Sequence, residues 1–586
     1  MNPDDLNDSE QDRERERQQR LKPKGERIVI DAPNLEDHAT ADGVGVLDTD
    51  LKHAFLRKYG HLFCMDRGDK NEGAELCAYN PETGTWSSNR IRELIHAQVS
   101  TMSKDIIRTE FNDLMANMQT AAPEDRDQFD RQRSNLTKLI QRWGKANTIS
   151  SIATMVYNHL AALHRSKPVD MNPDPLVLNC PNGVVDLRTG EHRHHELKDY
   201  LTVTTGTWFD ANADYSEWEK VVRQMFGNND AMYEFVHCWI GYSITGLRWD
   251  HAIVVLFGPG NNGKSLLTDT LANAIGDYAC KLHTDFIKET RSDGGNNELF
   301  AKATLNGVRF ALMSETEHDV GLKSSMIKSL TGDDTVSARQ AHQKFKTFKA
   351  THKFTLATNN TPNIPQRDNA MFNRLMPVEM KIKYGTPEEV ESGYAQFVQD
   401  PTILGRFSTP TGKSAALLWA VKGAQKYIAD GRLKPPPEVV AQRAKHRKNM
   451  DYIGAFINDA TQYIGKVELE KLEMYSTTGG NAEKRAVWEK IENKCQIECT
   501  TFFRMYQAWC RNTGVDKRKM ESKSEFAEYV TNNGRMWTDE DNQTLVMPKM
   551  HEYRTSQARM YRWVKLTDEG RVLLNRAANE YEGPKY

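Results

Sequence analysis

What this 586-residue chain lacks narrows its class before any motif is read. No window approaches the ~18 uncharged apolar residues that a transmembrane helix needs. The first residues are polar and have no apolar h-region, so no secretory signal is expected. Almost nothing apolar precedes Ile28, and residues 1–46, with Arg13-Glu14-Arg15-Glu16-Arg17, read as a largely disordered charged tail. The eight cysteines include no C-x-x-C pair, which argues against a disulfide framework and fits a reducing cytoplasm. Cys495, Cys499 and Cys510 form the one cluster, and it has no convincing fourth metal ligand. Net charge is nearly absent as well: 78 Lys+Arg against 80 Asp+Glu leaves −2. A chain this balanced can bind nucleic acid only through locally basic surface.

The most informative stretch runs from Val254 to Arg374. Val254-Val255-Leu256-Phe257 reads as a short apolar strand. Gly258-Pro259-Gly260-Asn261-Asn262-Gly263-Lys264-Ser265 follows and fits G-x-x-x-x-G-K-[ST] at every fixed position. Leu266, Leu267, Leu271 and Ile275 then mark one apolar helix face, with Gly276 as its stop. Glycines let the backbone curl so that N–H groups point at a β-phosphate. Lys264 supplies charge to the β- and γ-phosphates, and Ser265 a hydroxyl to Mg²⁺. The helix N-terminus adds its partial positive charge. ATP with Mg²⁺ is therefore the expected cofactor pair.

Downstream, Val308-Arg309-Phe310-Ala311-Leu312-Met313 reads as a buried strand ending at Ser314-Glu315-Thr316-Glu317. An acid at a strand tip beside a phosphate loop can hold Mg²⁺ and polarise water, and Glu315 is the first choice, Glu317 the second. Phe354-Thr355-Leu356-Ala357-Thr358 reads as another strand, ending at Asn359-Asn360. Asn359 can sense a γ-phosphate or place water there; Asn after a strand is also an ordinary turn residue. Arg374 precedes the next apolar run. It is either a surface charge or a guanidinium offered to a neighbouring site.

This order of motifs resembles that of superfamily 3 helicases, the ring-forming AAA+ motors of DNA viruses, phages and plasmids. Leu330-Thr331-Gly332-Asp333-Asp334 with Ala338-Arg339, and Leu356-Ala357-Thr358-Asn359-Asn360-Thr361-Pro362, are similar to the phage/plasmid and poxvirus-type primase–helicase family. So are Asn179-Cys180-Pro181-Asn182-Gly183 through Gly190, and Gly241-Tyr242 to Thr245-Gly246. Leu375 departs from relatives that carry two adjacent arginines, so the trans-acting finger rests on Arg374 alone. The resemblance implies catalytic roles for Lys264, Glu315, Asn359 and Arg374, and a hexameric ring on single-stranded DNA moving 3′→5′. It also implies a bacterial host cytoplasm. Between Val336 and Lys353 lie Arg339, His342, Lys344, Lys346, Lys349 and His352, with no acid at all. The family's channel hairpin would fall here. Counting back from Asn359 puts its tip at His342 and Gln343, beside Lys344; a basic surface loop is the plainer alternative. Arg339, His342, Lys344 and Lys346 are the expected DNA contacts.

The fold expected is multidomain and mainly α, with an α/β AAA+ P-loop core and a C-terminal α+β winged-helix-like domain. After the tail, residues 47–205 read as a mostly helical domain with hairpins, one of them at Leu76–Trp86. Residues 206–445 read as a helical collar plus ATPase. Lys434-Pro435-Pro436-Pro437 reads as a domain border. Lys413 to Lys448 carries nine Lys/Arg and two Asp/Glu, which suits either DNA or a solvated helix face. Residues 446–586 form the last domain. There Arg554, Arg559, Arg562 and Lys565, interleaved with Tyr553, Tyr561 and Trp563, are candidate phosphate contacts; a helical cap with exposed basic residues is the other reading. The residues before Asn172 show no strand-borne carboxylate pair of the kind primer synthesis needs. The reading is a DNA helicase without its own primase module, working with a separate primase or polymerase. Two alternatives stay open: a primase–helicase, and an ATP-switched initiator that does not unwind.

Overall fold

The computed structural model describes residues 48–68, 74–120, 122, 126–283, 302–314, 324–332, 335–339, 345–359, 369–449, 451–462, 496–515, 520–532, 535–538, 544–547, 552–554, 558–562 and 564–579. Glu315, Glu317, His342, Gln343, Lys344, Cys495 and Trp563 lie outside the described residues, as does the charged tail. The chain divides into two compact units, the first ending at Ala444 and the second starting at Lys445. The division falls inside the helix Pro437–Asn449, not at the proline run. The reason is local. Val439 is buried in the first unit's core, and Asn229 donates to Glu438 at 2.8 Å. No described helix is long and apolar enough to cross a membrane.

The first unit is organised around five strands: β1 (Ile253–Phe257), β2 (Ala279–His283), β3 (Phe310–Ser314), β4 (Lys353–Thr358) and β5 (Leu375–Glu379). They lie in the order β5-β1-β4-β3-β2, and every neighbouring pair is parallel. A parallel sheet is covered on both faces, so its strands read as unbroken apolar runs. Ile253, Val254, Val255 and Leu256 are all 2 % exposed or less. Around the sheet run α1 (Asp230–Ile244), α2 (Lys264–Ile275), α3 (Ser324–Gly332), α4 (Asn369–Arg374) and α5 (Pro410–Asp430). Val254, Leu256, Leu312 and Val378 share one core with Trp239 of α1, Leu271 of α2 and Trp419 of α5. The helices α1 and α5 touch backbone to backbone at Gly241 and Gly423. A Cβ on Gly241 would lie 2.0 Å from the Gly423 carbonyl carbon, which gives the Gly241-Tyr242 signature a packing reason.

At the amino ends of the strands, two helix C-termini meet a set of basic side chains, of which Arg309, His352 and Lys353 are buried. Arg309 Nη1 donates to Ile244 O at 2.8 Å, and Lys353 Nζ donates to Thr245 O and to Thr351 O. Arg248 Nη1 donates to Leu330 O at 3.1 Å and to His352 O at 3.3 Å; His352 Nε2 also reaches Leu330 O. The partial negative charge of the two helix ends offsets the cost of burying these groups. This corrects one expectation. Lys353 and His352 belong to the basic stretch in sequence, yet both are 2 % exposed and packed under the sheet rather than on a hairpin. Burial holds the Lys353 amine well below the ordinary lysine range, with Arg309 and Arg248 adding repulsion. An unfolded chain therefore binds this proton at pH values where the native one has lost it. Stability relative to Lys353→Met should then rise with pH from the lowered native pKa up to the ordinary lysine range, by about 1.4 kcal/mol per pH unit. Denaturant melts of the two proteins at neutral and alkaline pH check this; parallel responses would count against it.

The N-terminal part of this unit has its own core. Helices Asp48–Tyr59, Ile91–Thr120, Arg126–Trp143 and Ala146–His164 pack around Phe55, Ile95, Trp143 and Val156. The hairpin read at Leu76–Trp86 is there, Glu75–Asn80 pairing with Thr85–Ser87. The Asn179–Gly183 turn is a clasp. The buried Asn179 amide donates to Thr83 O and Val203 O, and Asn182 exchanges two bonds with the Phe209 backbone.

The second unit is mixed α and β. Helices Tyr452–Ala460, Cys499–Asn512, Lys523–Asn532 and Asp568–Asn579 enclose Phe456, Phe502, Trp509 and Phe526. Gln496–Glu498, Arg559–Arg562 and Glu552–Arg554 form a three-stranded antiparallel sheet. Tyr561 is 1 % exposed and packs in this core, so it does not interleave with surface cations. Arg559 is ion-paired with Glu552 at 3.2 Å. No group of three metal-ligating residues occurs among the described residues.

Candidate active site

The loop Gly258–Lys264 leaves the carboxyl end of β1 and enters α2, whose first residue is Lys264. The turn into the helix is made at Gly263, in left-handed conformation at φ 86°. It also lies against Met225: a Cβ there would sit 2.9 Å from the Met225 methyl carbon. The turn needs glycine on both counts. The first amides of α2 have no intrahelical acceptor, so the loop and helix end form an anion-binding nest.

Lys264 Nζ donates to Gly258 O at 2.8 Å, to Asn262 Oδ1 at 3.0 Å and to Pro259 O at 3.4 Å. Burial lowers its pKa, so a phosphate group in the loop would be matched by a cation whose own hydration is already reduced. Asn262, expected with the rest of the octapeptide to line the nucleotide site, also acts as a clip. It is 2 % exposed, its amide donates to Met380 O at 3.2 Å, and its oxygen accepts from Lys264. Tyr384 N donates to Asn261 O at 2.8 Å from the same side. The segment after β5 thus braces the loop. No sequence signal pointed to this, because the motif leaves both asparagine positions free. Gly260 and Pro259 are exposed, as is Ser265, whose hydroxyl stands one residue into α2.

The sheet register places the remaining candidates. Thr358 is level with Phe257 across β4 and β1, so the exposed Asn359 emerges beside Gly258. Ala357 is level with Ser314, so the exposed carboxyl end of β3 lies at this same edge, and Glu315, the next residue, is outside the described residues. The donor set named for Mg²⁺, a Ser hydroxyl with a carboxylate, suits a hard oxygen-seeking cation. Arg374 is elsewhere. It ends α4 and directly precedes β5, whose Leu375 is level with Ile253. That is the amino edge, roughly 16 Å from the loop by strand rise. Its Nη1 donates to Ala370 O at 3.0 Å, and its Nε is buried without a hydrogen-bond partner. The strands Thr335–Arg339 and Phe345–Lys349, which carry Arg339 and Lys346, pair antiparallel. They lead into β4 from that same amino edge. Asn359 follows at the other end of that strand.

These features define an α/β unit with a loop of the P-loop sequence pattern at the carboxyl edge of a five-stranded parallel sheet. Residues 53–227 match the family model described as "D5 N terminal like", and residues 256–374 match one described as a family of unknown function. "Putative helicase 022R" of Frog virus 3 is 28 % identical over 215 residues, which is 35 % of this chain and 22 % of that protein. "Putative helicase L207/L206" of Acanthamoeba polyphaga mimivirus is 24 % identical over 58 % of this chain and 35 % of its own length. "Putative primase C962R" of African swine fever virus is 24 % identical over 49 % of this chain and 31 % of its own. The chain thus spans between a fifth and about a third of the curated relatives it matches. A solved structure, the apo C-terminal region of NrS-1, aligns over 67 % of this chain and 89 % of that one at 12 % identity, with a TM-score of 0.36. Together the sequence similarities support a D5-like primase–helicase family.

Proposed function

We propose that the chain is an ATP-dependent DNA helicase of the superfamily 3, AAA+ type, assembled as a ring. The observation that carries this reading is the arrangement on β4. Its carboxyl end, which Asn359 follows, lies between the carboxyl ends of β1 and β3, and the strands Thr335–Arg339 and Phe345–Lys349 precede its amino end. One rigid strand about 20 Å long then links nucleotide state to the element that grips DNA. Lys264 and the loop amides hold the β- and γ-phosphates. Asn262 keeps the lysine and loop in register, and Asn359 contacts the γ-phosphate or the attacking water. Ser265 and Glu315 would hold Mg²⁺, which neutralises charge on the phosphates when bound. Arg374, at the far edge, completes a neighbouring protomer's site. The second unit is read as a winged-helix-like duplex contact. Displacement of a strand from a forked duplex, dependent on ATP, tests the reading. Hydrolysis with no displacement would favour an ATP-switched initiator.

A primase–helicase is the second reading, favoured by the relative whose printed name is a primase. Primer synthesis by the purified protein decides it.

Within the hairpin, Lys344→Ala combined with His342→Ala should keep basal ATPase and ring assembly but lose DNA stimulation and unwinding. Each lost phosphate contact should reduce the salt slope of single-strand binding by roughly 0.7. Filter binding across a salt series reads this directly, and an unchanged slope with full unwinding would remove both residues from the channel.

A further inference from the structure

Trp249 is 52 % exposed, more than any other tryptophan whose side chain is described. Single exposed apolar residues are common and need no explanation. The setting of this one is unusual. It belongs to the segment Arg248–His251, which clamps both feet of the basic hairpin. Arg248 bonds Leu330 O on the entering side and His352 O on the leaving side. His251 Nδ1 bonds Thr331 O at 2.6 Å, four residues before the hairpin's first strand begins at Thr335. Trp249 therefore belongs to a segment held at the base of the hairpin, on the amino edge of the sheet.

It is also held still. Asp250, the next residue, accepts from Tyr427 OH at 2.8 Å and from Leu433 N at 3.0 Å, and its carbonyl accepts from Tyr242 OH. One side of the indole lies over the Tyr427 ring, centroids 6.0 Å apart and planes tilted 31°. A side chain backed by an aromatic ring, on a backbone pinned from both directions, loses little freedom on binding a flat partner. The neighbouring strands Thr335–Arg339 and Phe345–Lys349 carry Arg339, Lys346 and the exposed Lys349 with no acid. An exposed aromatic ring, on a segment bonded to a strand pair that carries cations and no acid, matches the chemistry of a single-stranded nucleic acid, whose phosphates and bases need one of each.

We propose that Trp249 is a stacking platform for a base of single-stranded DNA at the foot of the hairpin. This rests on the helicase reading above. Its contact is to the base, so it differs in kind from the phosphate contacts of the hairpin cations.

The test uses the full-length protein with an ATP analogue and two oligonucleotides, oligo-dT and an abasic strand of equal length. Trp249→Ala should bind oligo-dT about 10-fold more weakly, within the range of one lost stack. Trp249→Phe should restore most of the affinity. The salt slope should stay that of wild type, because no phosphate contact is lost. On the abasic strand, wild type and Trp249→Ala should bind alike. Equal binding of oligo-dT by wild type and Trp249→Ala overturns the proposal, and so does a defect that persists on the abasic strand. Loss of assembly in Trp249→Ala, seen by size-exclusion chromatography, would assign the indole to a contact between protomers instead and equally overturns it. A wild type that binds neither strand would bring down the helicase reading itself, an outcome distinct from the others.

Discussion

Replacing Lys264 by alanine is expected to lower ATP hydrolysis by at least about 10²-fold, the cost of removing one preorganised charge donor from a phosphoryl-transfer site. Unwinding should disappear with it. The fold should remain, for a structural reason. Lys264 donates only to acceptors of its own loop, at Gly258, Pro259 and Asn262, and none of these belongs to the sheet core. The loop keeps its other braces, Asn262 to Met380 O and Tyr384 N to Asn261 O. A melting temperature close to wild type, with ATPase at background, is the expected pair of results. Normal turnover in a folded Lys264→Ala protein would sink the motor reading altogether. A collapse of the melting temperature would move Lys264 from a phosphate ligand to a structural residue, and Asn262→Ala would then separate loop bracing from charge.

Much of this site was legible beforehand because its chemistry is local. The octapeptide, the apolar strand before it and the amphipathic helix after it are contiguous, so spacing alone placed Lys264 at a helix start. Asn359 was legible as the residue after a strand. The strand order was not, since nothing in the residues says that β4 inserts between β1 and β3. That insertion is what brings Asn359 beside the loop. Long-range pairings also hid the roles of polar residues in apolar surroundings. Arg309 reads as part of a buried strand and Lys353 as the end of the basic hairpin stretch. Their function as caps for α1 depends on Ile244 and Thr245, which lie 65 and 108 positions away. Tyr561 misled for the opposite reason. Alternation with arginines suggested a surface ribbon, but a strand shows every second residue to each face, and here that face is the core. The Asn179 and Asn182 signature was correctly singled out, yet its meaning is structural: two buried amides that hold segments over 20 residues apart.

Arg374→Ala should bind ATP as wild type does and hydrolyse it ~10³–10⁵-fold more slowly, the range for arginine fingers supplied to a neighbouring site. The geometry excludes a role in its own chain. Arg374 precedes β5 at the amino edge, and Lys264 follows β1 at the carboxyl edge of the same parallel sheet. No side chain spans the roughly 16 Å between these edges. The proposed trans role therefore needs a guanidinium directed away from its own loop. One nitrogen is tied to its own helix at Ala370 O, which fixes the direction of the group, and Nε is buried without a partner. A buried Nε without a partner costs stability. Mixing then gives a decisive result. An Arg374→Ala subunit keeps an intact phosphate loop, and a Lys264→Ala subunit keeps an intact guanidinium. Placed side by side, they rebuild one complete site per correct junction, so a mixture of two inactive proteins should regain a measurable fraction of ATPase. The fraction should peak near equal proportions and vanish at either extreme. Lys at position 374 should not substitute, since a point charge cannot reproduce the planar fork. Mixed assemblies that form, as seen by size-exclusion chromatography of differently tagged subunits, but stay inactive at every ratio would show that Arg374 does not act in trans.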